Sequence, residues 1–286
     1  MPLTGYSNTI TVTTLAFLDA YPGATVAYSL RKLRVGYTGS AIRVRRSSDN
    51  AEQDIGFSGN GDLNTSSLLS FVGLGNNGFV KTWYDQSGNG IDATQASNSA
   101  QPQIVSGGTM ITRNGKSTML FDGVNDKLAT ASALPINQIP MTILTLSYTT
   151  LNSNYYFIAG GADFATSNGY QYATALLLNN YYSEFKAVVS SPQASELYVT
   201  KSADYALLTN IVEGTTQYLY LNGSLGGSKS IALAAAASTI PLNIAGSSTN
   251  GAYFNGEINE VIVYNSGKLG NVSAMNIDLN NYYGIY

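Results

Sequence analysis

In the stretch YALLTNIVEGTTQYLYL (205–221), two runs of apolar, β-branched and aromatic residues flank the turn Glu213-Gly214-Thr215. Such runs pack well on a pleated surface, and a Gly-bearing connection of this length lets the second fold back on the first, so the stretch reads as a β-hairpin. The same grammar extends outward in both directions. Residues 79–84, 117–121, 141–148, 155–159, 172–178, 184–189, 197–201, 241–245 and 257–264 all suit strands. Asn114-Gly115, Asp122-Gly123, Asn222-Gly223 and Asn250-Gly251 supply turn residues between them. Many short strands at this spacing, with few helices, predict a β-sandwich or barrel.

The N-terminal part reads differently. Residues 13–33 suggest helical pieces broken at Tyr21-Pro22-Gly23, with Val26, Leu30 and Leu33 on one buried face. Residues 41–46 alternate, Ile42 and Val44 against Arg43 and Arg45, as in an amphipathic strand. Thr65 is placed to cap a short helix carrying Leu68, Leu69 and Val72. A closing helix fits residues 272–283, with Asn271 as its cap and Val272, Met275 and Leu279 on one stripe. The expectation is one domain over 1–286: a helix-containing elaboration (1–78) on a core sandwich (79–286).

Composition removes much familiar chemistry. The chain has no His and no Cys, which excludes Ser-His-Asp triads, cysteine nucleophiles, Cys/His zinc sites and thiol switches. Acid-base work is left to Asp, Glu, Lys or Tyr, and metal binding to oxygen-ligand ions such as calcium. No cofactor is implied. Charged residues make up 11% of the chain, about half the usual share. A net charge of −3 gives no field that would gather nucleic acid. The cluster Arg31, Lys32, Arg34, Arg43, Arg45 and Arg46 is followed by Asp49, Glu52 and Asp54, so local ion pairing accounts for it. The first residues lack the basic start and apolar core of a secretory signal, and no run of about 20 apolar residues suggests a membrane span.

Two sets of motifs carry a family resemblance. AYSLRKLRVGYTGSAIRVRRSSDNAEQDIGF (27–57) followed by WYDQSGNGIDATQ (83–95) resembles the opening of the arabinofuranosidase B catalytic domain. LFDGVNDKL (120–128), FNGEINEVIVYN (254–265) and the closing helix resemble concanavalin A-like and laminin-G-like jelly rolls. The resemblance implies a mainly β fold, a concanavalin A-like jelly-roll β-sandwich with a few short helices in its N-terminal part and at its C-terminus. For activity it implies a nucleophilic carboxylate shortly before an Asn-Gly in a mid-chain strand, and an acid/base Asp in a Tyr-Pro-Ser-Asp setting after the last strand. The matching stretches, 175–182 and 264–268, contain no acid.

Individual sites weigh as follows. Glu257 and Glu260 are the alternative catalytic pair, yet a separation of three on a regular strand sends them to opposite faces. Asp122 and Asp126 bracket a turn and are the calcium candidates, with turn geometry as the simpler role. Asp85 and Asn89 in Tyr84-Asp85-Gln86-Ser87-Gly88-Asn89-Gly90 are candidates for a ligand or calcium loop, with a structured turn as the simpler role. Trp83 suits the core. Among 21 tyrosines, the pairs Tyr155-Tyr156 and Tyr181-Tyr182, the latter beside Asn179 and Asn180, offer stacking area for sugar or protein.

These readings converge on a non-enzymatic surface protein of a bacteriophage virion, a capsid or tail appendage made in the host cytoplasm. Such a protein would reach the exterior by lysis without an export signal, and the Gly-, Ser-, Thr-, Asn- and Tyr-rich composition resembles phage surface proteins. Expected partners are other virion proteins, further copies of the chain and a cell-surface glycan, with no nucleic acid. The alternatives are a glycoside hydrolase of arabinofuranosidase type and a purely structural lattice or decoration protein.

Overall fold

A computed structural model describes residues 16–134, 140–150, 156–160, 174–179, 184–191, 193–231, 241–246 and 252–286. Two antiparallel layers face each other across one large core. In the first layer the last strand, Asn255–Tyr264, is central. Along one side it pairs with Ala24–Ser29 and then, end to end, with Met119–Asp122. Along its other side run Met141–Tyr148, Tyr205–Glu213, Thr216–Leu221 and Ser224–Ser230, each antiparallel to the one before. The second layer runs Glu52–Ile55, Ile42–Arg46, Gly78–Trp83, Ala93–Thr94, Leu128–Ala133, Pro241–Ile244, Tyr156–Gly160, Thr174–Asn179, Glu184–Ser191 and Gln193–Thr200. The hairpin read from 205–221 is present with its turn at Gly214-Thr215.

Between the layers lies an apolar core that includes Tyr28, Trp83, Phe121, Phe185, Phe254 and Val261. A second, smaller core covers the outer face of the first layer. There α1 (Phe17–Ala20) and α3 (Val272–Tyr283) bury Phe17, Leu33, Leu144, Leu207, Ile262, Tyr264, Met275 and Leu279. α3 begins and ends as the sequence predicts, and Gly284 closes it in the left-handed region at φ 60°.

Two N-terminal expectations are corrected. Residues 24–29 form a strand, not a helix. All six residues are buried because one face meets the inter-sheet core and the other meets the helices, so the alternation that marks a half-buried strand is absent. In α2 (Thr65–Val72) the cap is Asn64, whose side chain accepts from Ser67 N–H, and Thr65 is already inside the helix.

The outer core holds one buried ionic centre. Glu260 is 2% exposed and accepts from Arg31 Nε (3.0 Å), Ser29 Oγ (2.7 Å) and the Tyr283 hydroxyl (2.8 Å). The Arg31 guanidinium lies 4.6 Å from the Tyr282 ring centroid and 5.5 Å from those of Phe17 and Tyr283. Burial works against the arginine charge, but Glu260, Tyr283 and Asp278 together outweigh it and keep Arg31 charged. Removing one partner of such a pair strands a buried charge. Glu260→Ala is therefore expected to lower unfolding stability by roughly 3–5 kcal/mol, whereas a double Arg31→Met, Glu260→Met variant loses much less. Urea denaturation of the three proteins checks this.

Candidate functional site

The last strand carries two carboxylates, and their relation differs from the expectation. Leu146 pairs with Glu260 while the next residue, Ser147, pairs with Ile258, so Asn259 is an extra residue in a β-bulge. The bulge cancels the odd spacing. Glu257, opposite Tyr148, and Glu260, opposite Leu146, lie on the same helix-covered face, while Ile258 and Val261 enter the inter-sheet core. Asn259 itself is pinned, donating to Ser117 O (3.0 Å) and accepting from the Tyr205 hydroxyl (3.2 Å). Burial and the charges of Glu260 and Glu257 push that hydroxyl well above its ordinary range.

A shared face does not make this a reactive pair. Glu257 is gripped by Arg113 through Nε (3.1 Å) and Nη2, and the guanidinium sits 3.4 Å from the centroid of the Tyr148 ring. Each glutamate thus has its own arginine and lies beside or beneath α3. Both serve as clamps between the sheet and the segments that cover it.

The loop after Trp83 has a similar holding role. Asp85 accepts from the N–H groups of Ala27 (2.9 Å), Ser87 (2.9 Å) and Ile91 (3.2 Å), and from Ser87 Oγ (2.6 Å). Gln86 accepts from Leu33 N–H and donates to Ser29 O and Arg31 O. Asn89 donates to Ala24 O and Thr25 O. The Asp-Gln-Ser-Gly-Asn-Gly motif therefore fastens residues 24–33 along their length, with Gly88 and Gly90 at positive φ to make the turns.

The turn at 122–126 closes on itself. Asp122 Oδ1 accepts from the N–H groups of Val124, Asn125 and Asp126, and Asp126 Oδ2 accepts from Asp122 N–H. Asp126 is only 7% exposed. Burial, then the charge of Asp122, pushes its carboxyl up to about 7. Among the described residues no three His, Cys, Asp or Glu side chains gather as a metal site.

Of the aromatic candidates, Tyr155, Asn180, Tyr181 and Tyr182 lie outside the described residues. Tyr156 and Asn179 are described only as backbone in two paired strands, Tyr156–Gly160 and Thr174–Asn179. Next to them the structure shows a polar group that sequence reading missed. Lys186 and Glu196 pair at 2.5 Å on the outer side of the Glu184–Ser191 and Gln193–Thr200 strands, with Tyr198 opposite Lys186. Their strand neighbours Phe185, Ala187, Leu197 and Val199 pack inward. The alternation Phe-Lys-Ala against Leu-Tyr-Val was the available signal.

Comparison with known proteins now has a structure to rest on. Residues 20–136 match the family described as "Alpha-L-arabinofuranosidase B, catalytic". Residues 152–268 match the "Concanavalin A-like lectin/glucanases superfamily". The fold is concanavalin A-like. A mutant GH54 α-L-arabinofuranosidase soaked with 4-nitrophenyl α-L-arabinofuranoside superposes with a TM-score of 0.73 at 14% identity, covering 93% of this chain and 64% of that one. An arabinofuranosidase complexed with arabinofuranosyl-α-1,2-xylobiose gives 0.67 at 15% identity, covering 91% and 64%. The binding domain of Paraclostridial Mosquitocidal Protein 1 gives 0.51 at 14% identity, covering 70% and 49%. The chain spans 64% of the length of these arabinofuranosidases, less than two thirds. A search of curated proteins returned no match.

These findings overturn the reading as a non-enzymatic virion protein. The catalytic-domain family matched over residues 20–136 and the structures that cover more than nine tenths of this chain are arabinofuranosidases. The inference had joined a missing export signal to a composition, and composition does not distinguish one Tyr-rich sandwich from another. Among the described residues no helix is long and apolar enough to cross a membrane.

The Asp126 geometry yields a test of its own. Unfolded, the carboxyl titrates near 3.8; folded, it titrates near 7. The folded state thus holds its proton longer, and the stability linked to it is full below about pH 4 and lost as pH rises through about 7. Asp126→Asn mimics the protonated carboxyl and still accepts from Asp122 N–H. Its thermal midpoint should equal that of the parent at pH 4 and exceed it at pH 8, and parallel pH profiles for the two proteins would count against the shifted carboxyl.

Proposed function

We propose that this chain is a glycoside hydrolase of the arabinofuranosidase type, acting on α-L-arabinofuranosides. The supporting observation is the coincidence of two independent likenesses: the catalytic-domain match over residues 20–136, and superposition of 93% of the chain on an arabinofuranosidase soaked with an aryl arabinofuranoside. Hydrolysis of this bond requires a protonated carboxyl for the leaving oxygen and a second carboxylate about 5–10 Å away. Among the described carboxyls with a raised titration, Asp126 is the one brought to about 7, the range a proton donor needs at neutral pH. One of its oxygens accepts from Asp122 N–H, and the other has no hydrogen bond to the described residues.

A second reading, recognition of the same sugars without hydrolysis, is favoured by one observation. The stretch 175–182, where the family resemblance puts a nucleophile, carries no acid, and Glu257 and Glu260 are clamped by arginines. Release of 4-nitrophenol from 4-nitrophenyl α-L-arabinofuranoside separates the two. Turnover is expected, with Asp126→Asn reducing kcat by about 100-fold or more. Saturable binding of arabino-oligosaccharide without turnover would leave the second reading standing, and absence of both would remove the two together.

A further inference from the structure

The basic cluster at residues 31–46 resolves into two populations. Arg43 pairs with Asp54 at 2.7 Å, Arg46 with Asp49 at 2.6 Å, and Arg31 with Glu260 at 3.0 Å. Arg45 is held by Gln101, Asn50 and Asn98. Lys32 and Arg34 form no ion pair with any described carboxylate. Both line one groove of about 770 Å³, between the 34–40 and 56–61 loops. That volume lies within the range of small-molecule sites.

Backbone oxygens hold the groove's wall and its guanidinium. Lys32 N–H donates to Gly61 O (2.7 Å), which ties one wall to the other. Arg34 Nη1 donates to Ser87 O (2.7 Å), which fixes the guanidinium and leaves its other N–H donors without a hydrogen bond to the described residues. Gly88 makes room for it: a Cβ there would lie 2.6 Å from Arg34 Nη1. Asp19, in α1, accepts from Val35 N–H (2.8 Å). The remaining wall is aromatic, with Tyr37 and Phe57 edge to face at 6.2 Å between centroids.

We propose that this groove binds a carboxylate-bearing sugar, a hexuronic acid unit of a glycan. A guanidinium with a free planar edge takes a carboxylate through two parallel hydrogen bonds, and a nearby ammonium adds a second charge. The aromatic wall suits the apolar face of a pyranose ring. The sugar component of this assignment rests on the carbohydrate-directed reading above; the anionic component rests on Lys32 and Arg34 alone.

Calorimetry with trigalacturonate, neutral galactotriose and inorganic phosphate tests it on the wild-type chain, Lys32→Gln, and Lys32→Gln combined with Arg34→Gln. Trigalacturonate should bind more tightly than galactotriose and more weakly as salt rises, and should lose about tenfold affinity with each substitution. Lys32→Gln alone guards against any loss of folding caused by freeing Ser87 O. Equal binding of acidic and neutral trimers, equal binding by the double variant, or binding of phosphate as tight as that of trigalacturonate would each overturn the assignment. Turnover of the neutral aryl arabinofuranoside should be unchanged in both variants. Uronate binding that needs Lys32 and Arg34 in a chain without turnover would preserve the groove and sink only the hydrolase reading.

Discussion

The contact between Arg31 and Glu260 is where the separate parts of the molecule meet. Glu260 belongs to the central strand of the first layer, Ser29 to the strand beside it, Tyr283 to α3, and Arg31 to the segment leading toward the basic strand. Phe17 of α1 and Tyr282 of α3 flank the same guanidinium. An ion pair withdrawn from water is worth little by itself, since desolvation offsets most of the attraction. Its effect is geometric: the helices can be apposed to the sheet only where Arg31, Tyr283 and Ser29 all reach the carboxylate. The bulge at Asn259 makes this possible, because without the extra residue either Glu257 or Glu260 would project into the apolar inter-sheet core.

Legibility in the sequence followed burial. The 205–221 hairpin was readable because its turn residues are local and its second strand alternates between buried and half-buried positions. The closing helix was readable from Val272, Met275 and Leu279, which do line its buried face. Residues 24–29 were not, because a strand buried on both sides shows no period of two, and Val26, Leu30 and Leu33 happen to fall at a helical spacing. The bulge was invisible for a different reason. It is a property of pairing between residues 146–147 and 258–260, and no local pattern in either segment announces it.

The site was less legible than the fold, and the reason is chemical. Residue type says what Asp85, Asp122 or Glu260 can do, while its partners determine what it does. Asp85 and Asn89 could have faced a ligand; instead they hold the backbone of residues 24–27. Asp122 could have bound an ion; one of its oxygens instead collects three N–H groups from its own turn. The arabinofuranosidase resemblance survived where the virion reading did not, because it rested on ordered motifs with defined structural work, whereas the virion reading rested on composition.

A chain with so few charges shows clearly where each one goes. Arg31, Arg43, Arg46, Lys81, Arg113, Lys186 and Lys201 each meet a carboxylate, and those of Arg31, Lys81 and Arg113 join segments far apart in sequence. Lys32 and Arg34 differ from the chain's other unpaired cations in lining one groove together. Lys32 and Arg34 both line the groove, while Leu33 between them is buried in the outer core. Gly88 leaves room for the Arg34 guanidinium, and the main-chain N–H of Lys32 is tied to Gly61 O. An arrangement that concentrates positive potential and surrounds it with glycine and aromatic surface disfavours solvation of the cations by bulk water and favours an anion with an apolar body. That combination describes an acidic sugar better than a free inorganic ion.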